Sequence, residues 1–281
     1  MSPDRDGWLE ALNRRPLGRT LDAACGDGEF GEELLVDGTG MSFLAGFDPE
    51  SDSVDQARRH FRAYAPPGLT FEFVHSGIEN LADRAPHFAQ PDSWDTVCLG
   101  IALHHLPDPH ASLNLLWSWV RPGGRLIISE MVRDGLDPAQ EVLRDLHHLK
   151  ARVDSLLGIS HRETYSRDEL ADLVQAATPG AVPWGANPTT PNHGDGGNSW
   201  TEACPSSCRD GFLIQTEDQV IWDPRDHARR IDFIGDYILH VKHHREYAAL
   251  RRQVSRLEQE IARVGARRPP RLNMILEKEP S

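Results

Sequence analysis

Five short apolar stretches, separated by helix-forming segments or turn-rich loops, run through the first half of this 281-residue chain. They are GRTLDAA (18–24), MSFLAGFD (41–48), LTFEFVHSG (69–77), SWDTVCLGI (93–101) and RPGGRLIISEM (121–131). The fourth is almost wholly apolar, as a strand covered on both faces must be. FGEELLVD (30–37) begins a helix, Pro49 suits the start of the next, and Asp52, Asp55 and the arginines after them suit its polar face. HHLPDPHASLNLLWSWV predicts a helix entered through a proline-containing loop. Such alternation predicts an α/β chain with a parallel, doubly wound sheet and right-handed crossovers.

The bulk numbers narrow the partners. Lys plus Arg is 30 against 43 Asp plus Glu, and the resulting net charge of −13 opposes binding to phosphate backbones or anionic lipid. Nucleic acid and membrane are therefore not expected as partners. No run reaches the roughly 18 apolar residues of a membrane span, and MSPDRDGWLEALNRR lacks the apolar centre of a signal peptide. Four cysteines, with Cys25 and Cys98 inside the core pattern, make no disulfide framework. A cytoplasmic protein of one elaborated domain is the expectation.

In a doubly wound sheet, ligands bind at the carboxyl ends of strands where the strand order reverses, and LDAACGDGEFGEELL (21–35) stands at such a place. Gly26 and Gly28 let backbone approach a ligand without a Cβ in the way, and the helix that follows offers unpaired N–H groups. Asp48 ends the second strand 20 residues beyond Gly28, where an acid can accept both hydroxyls of a ribose. A dinucleotide turn would read G-x-G-x-x-G; here Asp22 precedes Ala24-Cys25-Gly26-Asp27-Gly28. That acid would repel a pyrophosphate but can balance the ammonium of an amino acid.

Residues 20–131 resemble the class I S-adenosylmethionine-dependent methyltransferases of the small-molecule type, with Ala24 where the family pattern has its first glycine. The resemblance implies adenosylmethionine as cofactor and assigns its contacts. Asp22 and the loop around Ala24 and Gly26 would face the methionyl part, Asp48 would take the ribose hydroxyls, and Cys25, Gly28 and Pro49 belong to the same expected cofactor-binding set. Gly77, Ile78 and Glu79, after Ser76, would border the adenine, and Leu99 and Gly100 through His104 and His105 would lie under the methylthio group. It also implies a mostly parallel seven-stranded sheet, the class I methyltransferase fold, with its last strand antiparallel. RLNMILEKE (271–279) is the evident last strand; GFLIQTEDQVIWD (211–223) is either the other strand or a hairpin arm of an inserted cap. The expected layout is one domain, 1–281: a cofactor-binding core (1–131), a helical and loop lid inserted in the C-terminal half (132–265) and the last strand (266–281).

Within the lid, 137–158 is a helix with Val142, Leu146, Leu149, Val153 and Leu156 on one stripe, and Ser166 with Glu169 forms a capping box for the next helix. The stretch from Thr178 to Gly211, which contains Trp184 and Trp200, has no periodicity and reads as a long loop. Ile231, Ile234, Ile238 and Val241, then Tyr247, Leu250, Val254, Leu257, Ile261 and Val264, mark two amphipathic helices. These pack on the chain itself or form a homodimer contact.

Methyl transfer needs a nucleophile aligned with the sulfonium and, for a hydroxyl acceptor, a proton acceptor. The catalytic expectation falls on His104 and His105 after the fourth strand and on His147 and His161 in the lid, with His148, Glu163 and Tyr165 close in sequence. No metal is expected: Cys204-x3-Cys208 with His193, or His147, His148 and His161, lack a zinc-like paired spacing, and HVKHH (240–244) reads as a solvated junction. The Asp/Asn-Pro-Pro-aromatic motif of amino-methylating DNA enzymes is absent after the fourth strand, so a small-molecule methyl acceptor is the expected substrate. The alternative is a non-catalytic partner subunit that uses its C-terminal helices for association.

Overall fold

The computed structural model describes residues 3–183, 214–216 and 224–280. Helix α1 (Pro3–Asn13) opens the chain; sequence reasoning passed over it because Trp8, Ala11 and Leu12 give barely one turn of pattern. The predicted strands then appear in order: β1 (Gly18–Ala23), β2 (Met41–Asp48), β3 (Thr70–His75), β4 (Trp94–Gly100) and β5 (Val120–Met131). Between them lie α2 (Glu29–Asp37), α3 (Ser51–Tyr64), the single turn α4 (Leu81–Arg84) and α5 (Pro109–Trp119). Asp108 caps α5 by accepting from Ala111 N–H.

Beyond β5 come α6 (Pro138–Leu156) and α7 (Arg167–Ala177), the latter opened by the predicted Ser166–Glu169 capping box. The three-residue strands β6 (Ala181–Pro183) and β7 (Ile214–Thr216) follow, then α8 (Pro224–Tyr237), α9 (Tyr247–Val264) and β8 (Arg271–Lys278). The six longer strands lie in the order β3-β2-β1-β4-β5-β8, the first five parallel and β8 antiparallel to β5. Both short strands pair with β8, β6 beside Leu276–Lys278 and β7 beside Arg271–Asn273. Only Ile214–Thr216 of the expected 211–223 strand lies within the described residues. β6 corrects the reading of 178–211 as loop throughout: three residues were too few to show a period.

Strand alternation divides the core between the two faces of the sheet. Leu21, Ala23, Phe47, Val97, Leu99 and Ile128 meet α5 and α7 on one face. On the other, Cys98, Ile127 and Ile275 meet α1 and α2, and Leu44 and Phe73 meet α3. A second core joins Val142, Leu146, Leu149 and Val153 of α6 to Ile231 and Ile234 of α8 and Leu250 and Leu257 of α9. The apolar seam of α9 therefore packs within the chain, where the sequence also allowed a homodimer contact. His240, His243 and His244 are exposed, as a solvated junction requires.

Arg125 of β5 is 3% exposed and spans from the sheet to α1: it donates to the carbonyls of Leu12 and Arg15, 2.9 Å each, and faces Thr96 Oγ1. Burial pulls its pKa down to about 10. Removing a buried charged donor strands the acceptors it served, so Arg125→Ala should lower the free energy of unfolding by about 2–4 kcal/mol in urea titration. An unchanged midpoint would show that α1 does not depend on this anchor.

Candidate active site

The order of strands reverses between β1 and β4, and the turn after β1 faces that crevice. Cys25 N–H donates to the Phe47 carbonyl (3.0 Å), which fixes the turn to β2. Asp48, at the tip of β2, accepts from Gly26 N–H through Oδ2 and from Glu50 N–H through Oδ1, each at 2.9 Å. Gly26 has φ +53, and a Cβ built on it would meet no atom within 4 Å; the space it faces is open. Gly28 plays a different part from the one expected. Its φ is +94, a Cβ there would lie 2.8 Å from Phe61 of α3, and it does not line the cavity. It serves the packing of α2 on α3 rather than a ligand.

Asp22 also departs from expectation. It lies between Leu21 and Ala23 in β1, so alternation turns it to the face under α2, away from the cavity wall. The carboxyl is fully buried, with Cys98 Sγ 3.5 Å from Oδ1 and the Gly31 backbone beside it. Burial pushes its pKa up to about 7, and Cys98 and Gly31 offset only part of that.

A cavity of about 1190 Å³ runs from the strand tips to the helices of the second core. Ala24, Cys25, Gly26, Asp48, Pro49, Gly77, Ile78, Glu79, Leu99 and Gly100, all expected cofactor residues, line it. Two wall residues that are not glycine, Ala24 and Ile101, hold positive φ (+50 and +51), and for a β-branched side chain this is strained backbone. The far wall consists of Leu143, Leu146, His147 and Lys150 of α6 with Phe233 and Ile234 of α8.

Of the four histidines expected to be catalytic, only His105 and His147 line this cavity; His104 and His161 are buried behind them. This corrects the placement of His104 under a cofactor. All four nonetheless meet. Ring centroids lie 4.2 Å apart for His104 and His105, 4.9 Å for His104 and His147, 4.8 Å for His147 and His161, and 4.1 Å for His105 and His161. Glu130, wholly buried at the end of β5, accepts from His104 Nδ1, Leu103 N–H and Met131 N–H. Asp154 of α6 accepts from His161 Nδ1 (2.5 Å), Lys150 Nζ (2.6 Å) and the Tyr237 hydroxyl. Burial and the neighbouring imidazoles lower the pKa of His105 to about 3 and of His147 to about 2. His148 lies outside the group, its Nε2 accepting from Thr164 N–H and facing the Thr164 hydroxyl. His193, Cys204 and Cys208 fall outside the described residues. Sequence reasoning missed Glu130, Lys150 and Asp154; the i,i+4 spacing of Lys150 and Asp154 was their one visible signal.

The raised pKa of Asp22 has a sign that stability measurements can read. Between about pH 4 and about pH 7 the folded chain holds a proton that the unfolded chain has lost, so this group makes stability fall as pH rises, by about 1.4 kcal/mol per unit. Asp22→Asn keeps an acceptor for Cys98 and removes the titration. In denaturant unfolding of the ligand-free chain the variant should gain on the parent from pH 4 to pH 8; a constant difference between them would contradict the buried, protonated carboxyl.

Residues 21–126 match the family model of a methyltransferase domain. Over 116 residues the chain is 28% identical to the ubiquinone biosynthesis O-methyltransferase of Vibrio atlanticus, a stretch covering 41% of this chain and 44% of that protein. The Neisseria meningitidis serogroup C protein of the same name is 30% identical over 111 residues, covering 40% of this chain and 43% of that one. The chain thus spans less than half the length of these relatives. Among solved structures, the YcgJ protein of Bacillus subtilis superposes with a TM-score of 0.52 at 14% identity over 99% of both chains. The cyclase SpnF does so with 0.52 at 13%, over 99% of this chain and 81% of that one, so this fold also carries other chemistry. The domain match, the strand order and the glycine turn with its acidic neighbour agree with one another: residues 21–126 are similar to a methyltransferase domain, and the chain has the α/β methyltransferase fold with a mostly parallel sheet.

Proposed function

We propose that this chain transfers a methyl group from S-adenosylmethionine to an oxygen, nitrogen or sulfur atom of a small molecule by in-line displacement, in one domain closed by a lid of α6, the loop after it and α8. One observation carries the reading: a single cavity joins the glycine turn and Asp48 to a second wall of helices. It exceeds the roughly 300–1,000 Å³ of ordinary ligand pockets, leaving room for two molecules side by side.

The residues present suit the cofactor. Each Asp48 oxygen gives one lone pair to a backbone N–H and keeps another for a ribose hydroxyl. Gly26 faces open space that a side chain would fill. Ile78, buried at the tip of β3, suits an adenine face, and Leu99 with Gly100 at the tip of β4 suits the sulfur end. When bound, adenosylmethionine supplies an electrophilic methyl group. The chain's own part is to hold the acceptor in line and to keep water away with Leu143, Leu146, Phe233 and Ile234.

Oxygen is the acceptor atom the similar proteins favour, since both are named as O-methyltransferases. The sequence expectation of a histidine base finds less support. With pKa values of about 3 and about 2, His105 and His147 take protons weakly near neutral pH. Their part is to position the acceptor.

Titration calorimetry with adenosylmethionine tests the reading. The chain should bind it, and Asp48→Ala should weaken binding at least tenfold, about 1.4 kcal/mol or more. Absence of binding would leave only the partner-subunit alternative; unchanged affinity in Asp48→Ala would remove the ribose assignment.

A further inference from the structure

Four imidazoles converge where the turn after β4, the middle of α6 and the loop after α6 meet. We propose that His104, His105, His147 and His161 bind a divalent transition-metal ion of the zinc type through their ring nitrogens.

His104 gives the first reason. Its Nδ1 lies 2.9 Å from Glu130, a carboxylate that can only accept, so the ring proton sits on Nδ1 and Nε2 carries a lone pair. That Nε2 is buried in a residue with no exposed surface and has no hydrogen-bond partner. An orphaned buried acceptor costs about 1–3 kcal/mol, and a cation bound there would remove that cost.

The second reason lies across the cluster. Asp154 fixes the His161 proton on Nδ1, which turns the Nε2 lone pair toward His147 Nε2 at 3.2 Å. Two nitrogens bound tetrahedrally at about 2.0–2.1 Å from one zinc ion stand about 3.3 Å apart. The pair therefore already has the spacing of one edge of a coordination tetrahedron. One ring nitrogen each from His104, His105 and His161 lies within 4.8 Å of the others, and turning the His105 ring, which lines the cavity, narrows the remaining gap.

Two carboxylates back this arrangement in the manner of metal-bound histidines, Glu130 behind His104 and Asp154 behind His161. Donors that are all imidazole nitrogen suit zinc-like ions over magnesium or calcium, which prefer oxygen. The ligands come from three separate segments, 104–105, 147 and 161, so no paired spacing announces them in the sequence. A plain N–H···N hydrogen bond between His147 and His161 would explain their distance but leaves His104 Nε2 without a partner.

His105 and His147 also line the cavity, so an ion held here faces the acceptor end. There it would bind an acceptor hydroxyl and lower its pKa, doing what the weakly basic histidines do poorly. This role rests on the methyl-transfer reading; the binding of the ion does not.

The experiment uses the full chain, stripped with chelator and titrated with Zn²⁺ by calorimetry and with Co²⁺ by visible absorption. One tight site should appear, with a Co²⁺ spectrum of nitrogen ligation. His147→Ala, His161→Ala and His105→Ala each remove a ligand and should each weaken it by at least about tenfold, the least that loss of an outer-shell partner costs, with folding checked by circular dichroism. Changing His240, His243 and His244 together to Ala, or Cys204 and Cys208 to Ser, should leave it intact. The proposal fails if the cluster variants bind Zn²⁺ as the parent does, or if either control abolishes the site. Adenosylmethionine affinity on the same proteins separates the two readings, because loss of the metal alone leaves cofactor binding in place.

Discussion

Asp48 ties together the tips of two neighbouring strands with one carboxylate. One oxygen accepts from the turn after β1 and the other from the start of α3, so the wall of the crevice is set before any ligand arrives. The turn contributes its own constraint, since Ala24 and Gly26 both hold left-handed backbone while Cys25 N–H reaches the carbonyl of Phe47. Such a wall orders little on binding, which is the physical advantage of preorganisation. Everything proposed about the cavity depends on this clamp, because it is what turns two strand ends into one face of a site.

The opposite wall is built by a separate core. The stripe of α6 that holds α8 and α9 also fixes the direction of His147, while Asp137 and Gln140 cap the helix start. Arg152 of α6 adds a bidentate pair with Glu246 beside the start of α9. Packing energy in the second half of the chain thus positions side chains facing the first half, and a loss of apolar contact among these helices would move the histidines as well.

Much of the first half was legible in the sequence. The strands from β1 to β5 and the stripe of α6 have clear periodicities, and the Ser166–Glu169 box is a local signal with a local cause. The cavity-lining positions of Asp48 and Gly26 were legible because their spacing reflects strand and turn lengths. Asp22 was misread although the information was present: between Leu21 and Ala23, both buried toward α5 and α7, a side chain has to turn the other way. Gly28 was misread for another reason, since its neighbour Phe61 lies 33 positions further on and only the fold brings them together. The same holds for the histidines. His104, His147 and His161 are far apart in sequence, and the carboxylates that orient them, Glu130 and Asp154, look like ordinary strand-end and helix residues until the chain folds.

A structure of the chain crystallised with S-adenosylhomocysteine tests the central claim most directly. The account predicts both ribose hydroxyls on Asp48, the adenine against Ile78, and the sulfur at the Gly100 end of the cavity, facing His105 and His147. A ligand bound elsewhere, or an Asp48 carboxylate that keeps only its two backbone partners, would contradict it.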